Sequence, residues 1–470
     1  MHFRSLLAPL AGAAVLCLSQ LPAAAQGTPP AEPVPTGFWE RPTLLGDAAG
    51  FRPFLARFGV TLGLTEISEV LGNLTGGIAR GAAYDGLTTA TLGLDTGPAL
   101  GWQGGTFQAS ALQIHGRNLS VENLASLQTA SGIEASRGTR LWELWFQQQL
   151  AGDAADVKLG QQSLDQEFMV SQYSALFVNT VMGWPMLPSA DLYAGGPAYP
   201  LSALGLRLRG KPAGDLTLLA GIFDDNPPGG PFADDAQLRG AEASGTRFNL
   251  GTGALAIAEL QYAANAGDAH KDCTTLLCGL PGTYKLGFWY DSAPFADQHV
   301  DQTGLSLADP ASSGVARRHP GNFSFYGLID QQAWREAGGP RMLGAFLRVM
   351  GAPADRNLID WSLDAGFTLK APLPGRDSDT IGIAYGWAHV SPAAAALDRD
   401  TAHFTGAFVP VRGAEHLIEA TYQAQLAPWW VLQPDLQYVV DPGGGIANPH
   451  APSQRVGDEL VVGLRTTVTF

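Results

Sequence analysis

Charged and amide side chains recur in this sequence at alternate positions of apolar runs. In LGLRLR (204–209), Arg207 and Arg209 alternate with Leu204, Leu206 and Leu208. Glu419 and Gln423 alternate in the same way with Ile418, Ala420, Tyr422 and Ala424, and Glu143, Asp435 and Gln437 hold equivalent places in LWELW and QPDLQ. Such groups exchange hydrogen bonds reversibly, but nothing in their spacing sets them up to make or break covalent bonds. The chain has no G-x-S-x-G, no H-E-x-x-H and no P-loop. The acidic pairs Asp224-Asp225 and Asp234-Asp235 lack the ordered oxygen-ligand spacing of a calcium loop, so 224–240 reads as a solvated external loop. No enzymatic activity, metal or cofactor is expected.

Residues two apart share a face only in an extended strand. From Gly59 onward the chain falls into segments of roughly ten residues, each alternating apolar with small or polar and each closed by Gly, Pro, Asp or Asn. TIGIAYGWAH (380–389) and ELVVGLRTTVTF (459–470) are examples. About sixteen such segments can be counted. They include 156–168, 199–212, 282–292 and 322–335, and the last ends on Phe470. Some links are tight, as at Ala427-Pro428, and others long, as at 292–322. An even count with short and long links is the pattern of an antiparallel up-and-down barrel in a membrane. A soluble sandwich or propeller would need a charged exterior, and 15 % charged residues are too few to coat one. Aromatics also gather near segment ends (Trp142, Trp145 and Phe146; Phe288, Trp289 and Tyr290; Trp429 and Trp430), where an interfacial girdle would use them. The expected fold is all-β: a sixteen-stranded antiparallel transmembrane β-barrel over 59–470, with a short N-terminal helix before it.

Composition fits that reading. The 470 residues are 46 % hydrophobic, with 58 Gly and a mean hydropathy of +0.03. Beyond the first 25 residues no apolar run approaches the ~18 residues that a membrane helix requires. With 28 Lys+Arg against 43 Asp+Glu, the net charge of -15 argues against a nucleic-acid partner. Residues 1–25 read as a signal peptide: Arg4, then an apolar core from Leu6 to Leu18, then Ala23-Ala24-Ala25. Cys17 follows Leu16, where lipidation would need a small residue. Residues 26–58 read as a Pro-rich linker and a short periplasmic helix within 44–58, with Leu45, Phe54, Leu55 and Phe58 on its apolar side. In an exported chain, Cys273 and Cys278 of CTTLLC are expected to form a small-loop disulfide. No nearby His or further Cys completes a metal set.

Seven stretches, in order along the mature chain, resemble the OprB-type carbohydrate-selective porins of Gram-negative outer membranes. They are SEVLGNLTGGIARGAAYDG (68–86), GGTFQASALQIHGRNLS (104–120), LGQQSLDQEFMVSQYSALFVNTVMGWP (159–185), YPLSALGLRLRGKP (199–212), GIFDDNPP (221–228), CGLPGTYKLGFWYDS (278–292) and APWWVLQPDLQYVVDPGG (427–444). The resemblance implies a sixteen-stranded outer-membrane barrel that passes monosaccharides, glucose-type sugars above all, with a helix before the barrel. Phe470 looks like the C-terminal aromatic read by the outer-membrane assembly machinery. Weak sugar selectivity calls for polar donors and acceptors, with aromatics to cover the apolar face of the ring. The matching stretches add Arg117, Asp165, Glu167, Asn179 and Trp184 to the pore-lining or sugar-contact candidates Glu143, Arg207, Arg209, Glu419 and Asp435. Asn179 and Trp184 lie in LFVNTVMGWP, a region able to fold into the lumen as a constricting loop. Arg207 and Arg209 either contact sugar or pair with acids across the lumen. Trp184 either contacts sugar or caps the rim, and Asp165 and Glu167 read equally as loop anchors. His115 and Arg117 stand at a strand end, where solvation competes with a lumen role. The expected partners are monosaccharides and outer-membrane lipid, for a monomer or a homotrimer. A general or cation-favouring porin, or a structural or adhesive barrel, is the alternative.

Overall fold

The structure, a computed structural model, describes residues 37–229, 244–265 and 279–470. The expected signal peptide, and the Cys273 and Cys278 expected to pair, lie outside them. Strands β1 (Val60–Gly77), β2 (Gly81–Asp95), β3 (Gly105–Gly116), β4 (Gly138–Leu150), β5 (Ala155–Gln162), β6 (Ala203–Ala213), β7 (Leu216–Asp224) and β8 (Ala254–Ala264) run in sequence order. They are followed by β9 (Gly282–Asp301), β10 (Ala316–Arg335), β11 (Met342–Gly351), β12 (Ile359–Lys370), β13 (Thr380–Val390), β14 (Ala414–Ala427) and β15 (Trp430–Val440). After a two-stranded arm, β16 (Ala447–Asn448) and β17 (Ala451–Arg455), the last strand β18 (Gly457–Thr469) pairs with both β15 and β1. Sixteen strands thus close into one antiparallel barrel, each next to its sequence neighbour apart from the β16–β17 arm.

Closure joins the two ends of the chain. Thr65 pairs with Thr469, and the Phe470 amide donates to Leu64 O at 2.9 Å. The short helix α1 (Phe51–Ala56) lies at the same end, where Arg52 donates to the Phe470 carbonyl. The rings of Phe51 and Phe54 on it and of Phe58 just beyond it are exposed, so the apolar side expected of it does not face a protein core.

The period-two pattern decides which side chains enter the barrel. Arg207 is fully buried while its neighbour Leu208 is 51 % exposed, and the same contrast separates Glu419 from Ile418 and Ala384 from Ile383. The outer wall carries Leu286, Phe325, Trp361 and Phe367, a surface that only a hydrocarbon phase would leave uncovered. No described helix is long and apolar enough to cross a membrane.

Three expected boundaries move. The segment 156–168 ends as strand at Gln162, because Leu164–Gln166 turns inward as a 3-10 turn. The segment 199–212 begins at Ala203, and the link 292–322 shrinks because β9 and β10 continue beyond the wall as a paired arm up to Ala316↔Asp301.

The interior is not empty. Residues 117–137 and 163–202, the links after β3 and β5, fold into the lumen from the end opposite the termini, here the far end. The second brings Phe168, Tyr173, Phe177, Trp184 and Leu187 against Trp289, Tyr326, Phe346 and Leu417 of the wall, forming the largest apolar cluster. Glycines make this approach possible. A Cβ on Gly344 would lie 2.2 Å from the Tyr173 ring, and one on Gly382 2.7 Å from Leu176.

Candidate functional site

Inward polar side chains of the strands grip the backbone of the two lumen loops. Glu419 on β14 accepts the amides of Val178 and Asn179, at 2.5 and 3.2 Å. Glu415 accepts Leu127 and Gln128, Glu459 on β18 accepts Ala125, and Glu259 on β8 accepts Met169. Asp330 on β10 takes the Ser171 hydroxyl and the Gln172 amide. Cations take the carbonyls: Lys285 donates to Val170 O at 2.6 Å, and Arg348 on β11 donates to Met169 O and Gly183 O and reaches Val181 O. A loop running through a barrel lumen exposes unpaired backbone groups, and each charged partner here satisfies one that would otherwise be costly to bury.

The residues singled out from the sequence fall mainly within this scaffold. Glu167 joins Lys158 at 2.5 Å and Arg207 at 2.5 Å, while Asp156 bridges Arg207 and Arg209. Although burial works against its charge, Lys158 and Arg207 hold the Glu167 carboxyl below the usual range. Lys158 also stands over the Trp145 ring at 4.2 Å. Asp165 accepts the Ser163 hydroxyl and the Tyr199 amide, tying the two ends of the second loop together, and burial pushes its carboxyl up. Glu143 accepts the Ser163 amide. Asn179 caps the turn Thr180–Gly183 and donates to Gln437, which also donates to Asp435. Trp184 is 5 % exposed and donates its indole N–H to Gly195 O. Arg209 keeps part of its side chain open, with 26 % exposure. Arg117 stands exposed at the far rim, paired with Glu122, and does not join the others.

Sequence parity alone did not single out Arg348, Glu415, Glu459 and Asp330; of the four, only Arg348 stands between two outward apolar neighbours, Leu347 and Val349, as Arg207 does between Leu206 and Leu208. A second signal was the small inward face of β13 (Gly382, Ala384, Gly386, Ala388), which makes room for the loop.

A cavity of about 770 Å³ lies at the far end between the two loops, β9 and the link 352–358. Its lining combines hydroxyls (Ser120, Ser136, Ser189), the Gln298 amide and the Arg356 guanidinium with the rings of Tyr193 and Phe295. Arg356 is held by Asp355 at 2.8 Å and by Gly321 O at 2.9 Å. The two rings lie 4.8 Å apart. Glu134, also in the lining, accepts the Ser120 amide, and burial raises its carboxyl to about 7. Among the described residues, no group of His, Cys, Asp or Glu is placed to hold a metal ion.

The family model for carbohydrate-selective porins of the OprB family matches residues 79–470. The chain belongs to the OprB family. This OprB-family porin is also 25 % identical over 446 residues to Porin B of Pseudomonas aeruginosa, covering 91 % of each chain. A high-pH structure of Pseudomonas putida OprB superposes with a TM-score of 0.78 at 24 % identity, over 92 % of this chain and 100 % of that one. The low-pH structure of the same protein gives 0.53 at 18 % identity, over 92 % of this chain and 99 % of that one. Fold and family together make this porin an outer-membrane channel for carbohydrate rather than an enzyme. Several of its charged lumen residues hold the loops in place.

Proposed function

We propose that this porin passes monosaccharides, glucose-type sugars in particular, by passive diffusion, and that the far-end cavity is the first place where the sugar exchanges water for protein. The observation that carries this reading is the cavity lining: hydroxyl and amide groups, one guanidinium, the carboxyl residues Glu134 and Asp191, and an aromatic pair. A pyranose ring offers hydroxyls around its rim and C–H groups on its faces, so this mixture suits it better than a small ion. No group in the lining binds so strongly that exit would stall, as diffusion requires. Residues 1–25 direct export, the far end faces outward, and Phe470 serves as the mark for assembly into the outer membrane.

The test is single-channel recording in planar bilayers with glucose as a blocker. Glucose should reduce current through the wild-type channel, and Arg356→Ala or Tyr193→Ala should weaken the block about tenfold, the cost of one good polar or stacking contact of ~1.4 kcal/mol. Unchanged block in both variants would remove the cavity from the sugar path. The acidic excess of the chain favours a second reading, a general cation-preferring channel. Under a salt gradient, that reading predicts strong cation selectivity with no block by glucose.

A further inference from the structure

The far-end cavity carries more negative charge than a neutral sugar needs. Three charged residues line it: Arg356, Glu134 from the first lumen loop and Asp191 from the second. Arg356 already has its counter-charge. Its Nε and one amino group donate to the two oxygens of Asp355 at 2.8 and 3.1 Å, and the other amino group donates to Gly321 O. Glu134 and Asp191 have no such cation among the described residues. Glu134 takes the Ser120 amide with one oxygen at 3.1 Å, and its other oxygen has no hydrogen-bond partner. Asp191 closes the short helix Met186–Asp191 and is 9 % exposed. One of its oxygens takes the Ile359 amide at 3.2 Å, and the other has no partner.

Carboxyls that only hold the loops look different. Glu415, Glu419 and Asp330 commit both oxygens to loop groups. Other lumen carboxyls with a spare oxygen, such as Asp85 and Glu459, do not line this cavity. A buried carboxylate oxygen without a donor is costly, and a solute that brings a charged donor offsets that cost. An ionised carboxylate only accepts, so the missing partner is a donor, and a positive one completes the charge balance of the cavity. Burial by itself favours the protonated form of both carboxyls, and an ammonium beside them reverses that preference. The rest of the lining still suits a sugar ring, through the Ser120 and Ser189 hydroxyls, the Gln298 amide and the rings of Tyr193 and Phe295.

We propose that the cavity takes amino sugars, hexoses that carry a primary ammonium, in preference to neutral hexoses. This names a substrate class for the site described under the proposed function, and it rests on that reading's placement of the cavity in the solute path. An ammonium has N–H donors for the spare oxygen of Glu134 or of Asp191 and for a serine hydroxyl besides. The ring keeps its own hydroxyls for the amide and its C–H face for Tyr193 and Phe295. A sugar acid meets the same two carboxyls with repulsion, and the fork of Arg356 that would receive it is taken by Asp355. A small ammonium without a ring has the charge but neither the hydroxyls nor the apolar face.

The experiment uses the full mature chain in planar bilayers near neutral pH, with block of single-channel current titrated against glucosamine, N-acetylglucosamine, glucose, glucuronate and ethanolammonium. Glucosamine should block at about tenfold lower concentration than glucose, the size of one charge-assisted hydrogen bond. N-acetylglucosamine, which keeps the ring and loses the charge, should block no more tightly than glucose, glucuronate should block more weakly, and ethanolammonium should not block. In Glu134→Gln with Asp191→Asn, the preference for glucosamine over glucose should fall toward none. Equal block by glucosamine and glucose in the wild type, an undiminished preference in the double variant, or block by ethanolammonium as tight as by glucosamine would each overturn the proposal while leaving glucose block in place. Block by glucosamine with none by glucose would instead sink the neutral-sugar reading and support this one, and block by neither would remove the cavity from the solute path and overturn both. The solute panel on the wild type decides the matter if the double variant does not fold.

Discussion

Arg348→Met removes one guanidinium from the centre of the loop scaffold, and its effect can be worked out from the contacts. Arg348 is 1 % exposed, lies 3.0 Å from Asp364 through Nε, and donates to Met169 O at 2.9 Å and Gly183 O at 3.2 Å. Its second amino group reaches Val181 O. A hydrogen bond to a charged group contributes about 1.5–3 kcal/mol, but these share one cation and do not add in full. Taken together, the three carbonyl contacts contribute about 3–5 kcal/mol to docking of the loop, whereas the Asp364 pair lies within the wall. Borne by the docking of residues 163–202, that loss lowers the docked-to-undocked ratio by a factor of about 10² to 10⁴. The barrel ladder is untouched, so the heat-dependent gel shift should remain. Planar-bilayer recording of Arg348→Met should then show larger and noisier single-channel currents with weaker block by glucose. Asp364→Asn, which leaves the three carbonyl contacts in place, should show a much smaller change. If Arg348→Met gave the conductance and glucose block of the wild type in a folded barrel, the guanidinium would not be what holds the loop.

Burial raises the Glu134 carboxyl to about 7, so between its ordinary value and 7 the folded protein holds a proton that the unfolded chain has released. Its contribution to stability is therefore full at low pH and falls as pH rises through that window, while the cavity gains a negative charge; cation selectivity measured from reversal potentials should rise between pH 6 and 8, and Glu134→Gln should abolish that rise. On the outer wall, Leu286 of β9 is 67 % exposed. Leu286→Arg places a charge against lipid and should destabilise the folded barrel by about 2–4 kcal/mol if that level lies near the bilayer centre, as read by denaturant titration in liposomes; a change under ~1 kcal/mol would mean that this face does not meet the hydrocarbon.

Strand parity is legible in the sequence because it is local: Arg207 beside Leu208 needs only its own neighbours to declare which one is buried. The same locality explains why the count of sixteen strands and the even closure on Phe470 can be read without a structure. The roles of the inward residues are not legible in that way. Glu419 meets Val178 across 241 positions and Glu459 meets Ala125 across 334, and nothing in either neighbourhood marks the partner. Asp165 is a partial exception, since its bond to Ser163 is two residues long and signals a turn, although its tie to Tyr199 is not. Trp184 in a loop suggests an exposed ring, but the loop enters the barrel and its indole is spent on Gly195. His115 is equally unmarked: it reads as a residue at a strand end until the register sets it opposite Gly86 and beside Glu66.

The lumen loops have a mechanical consequence. A wide ring of strands is a thin shell that lateral pressure in a bilayer can flatten into an ellipse. Residues 163–202 leave the shell between β5 and β6 and are fastened to β8, β10, β11 and β14 through Glu259, Asp330, Arg348 and Glu419. They act as struts joined to several points of the circumference, so the cross-section is braced from within. The shape of the opening is thereby tied to the shape of the whole shell. A change in membrane tension or thickness that deforms the rim would reach the solute path directly, without any hinge or gate to carry it.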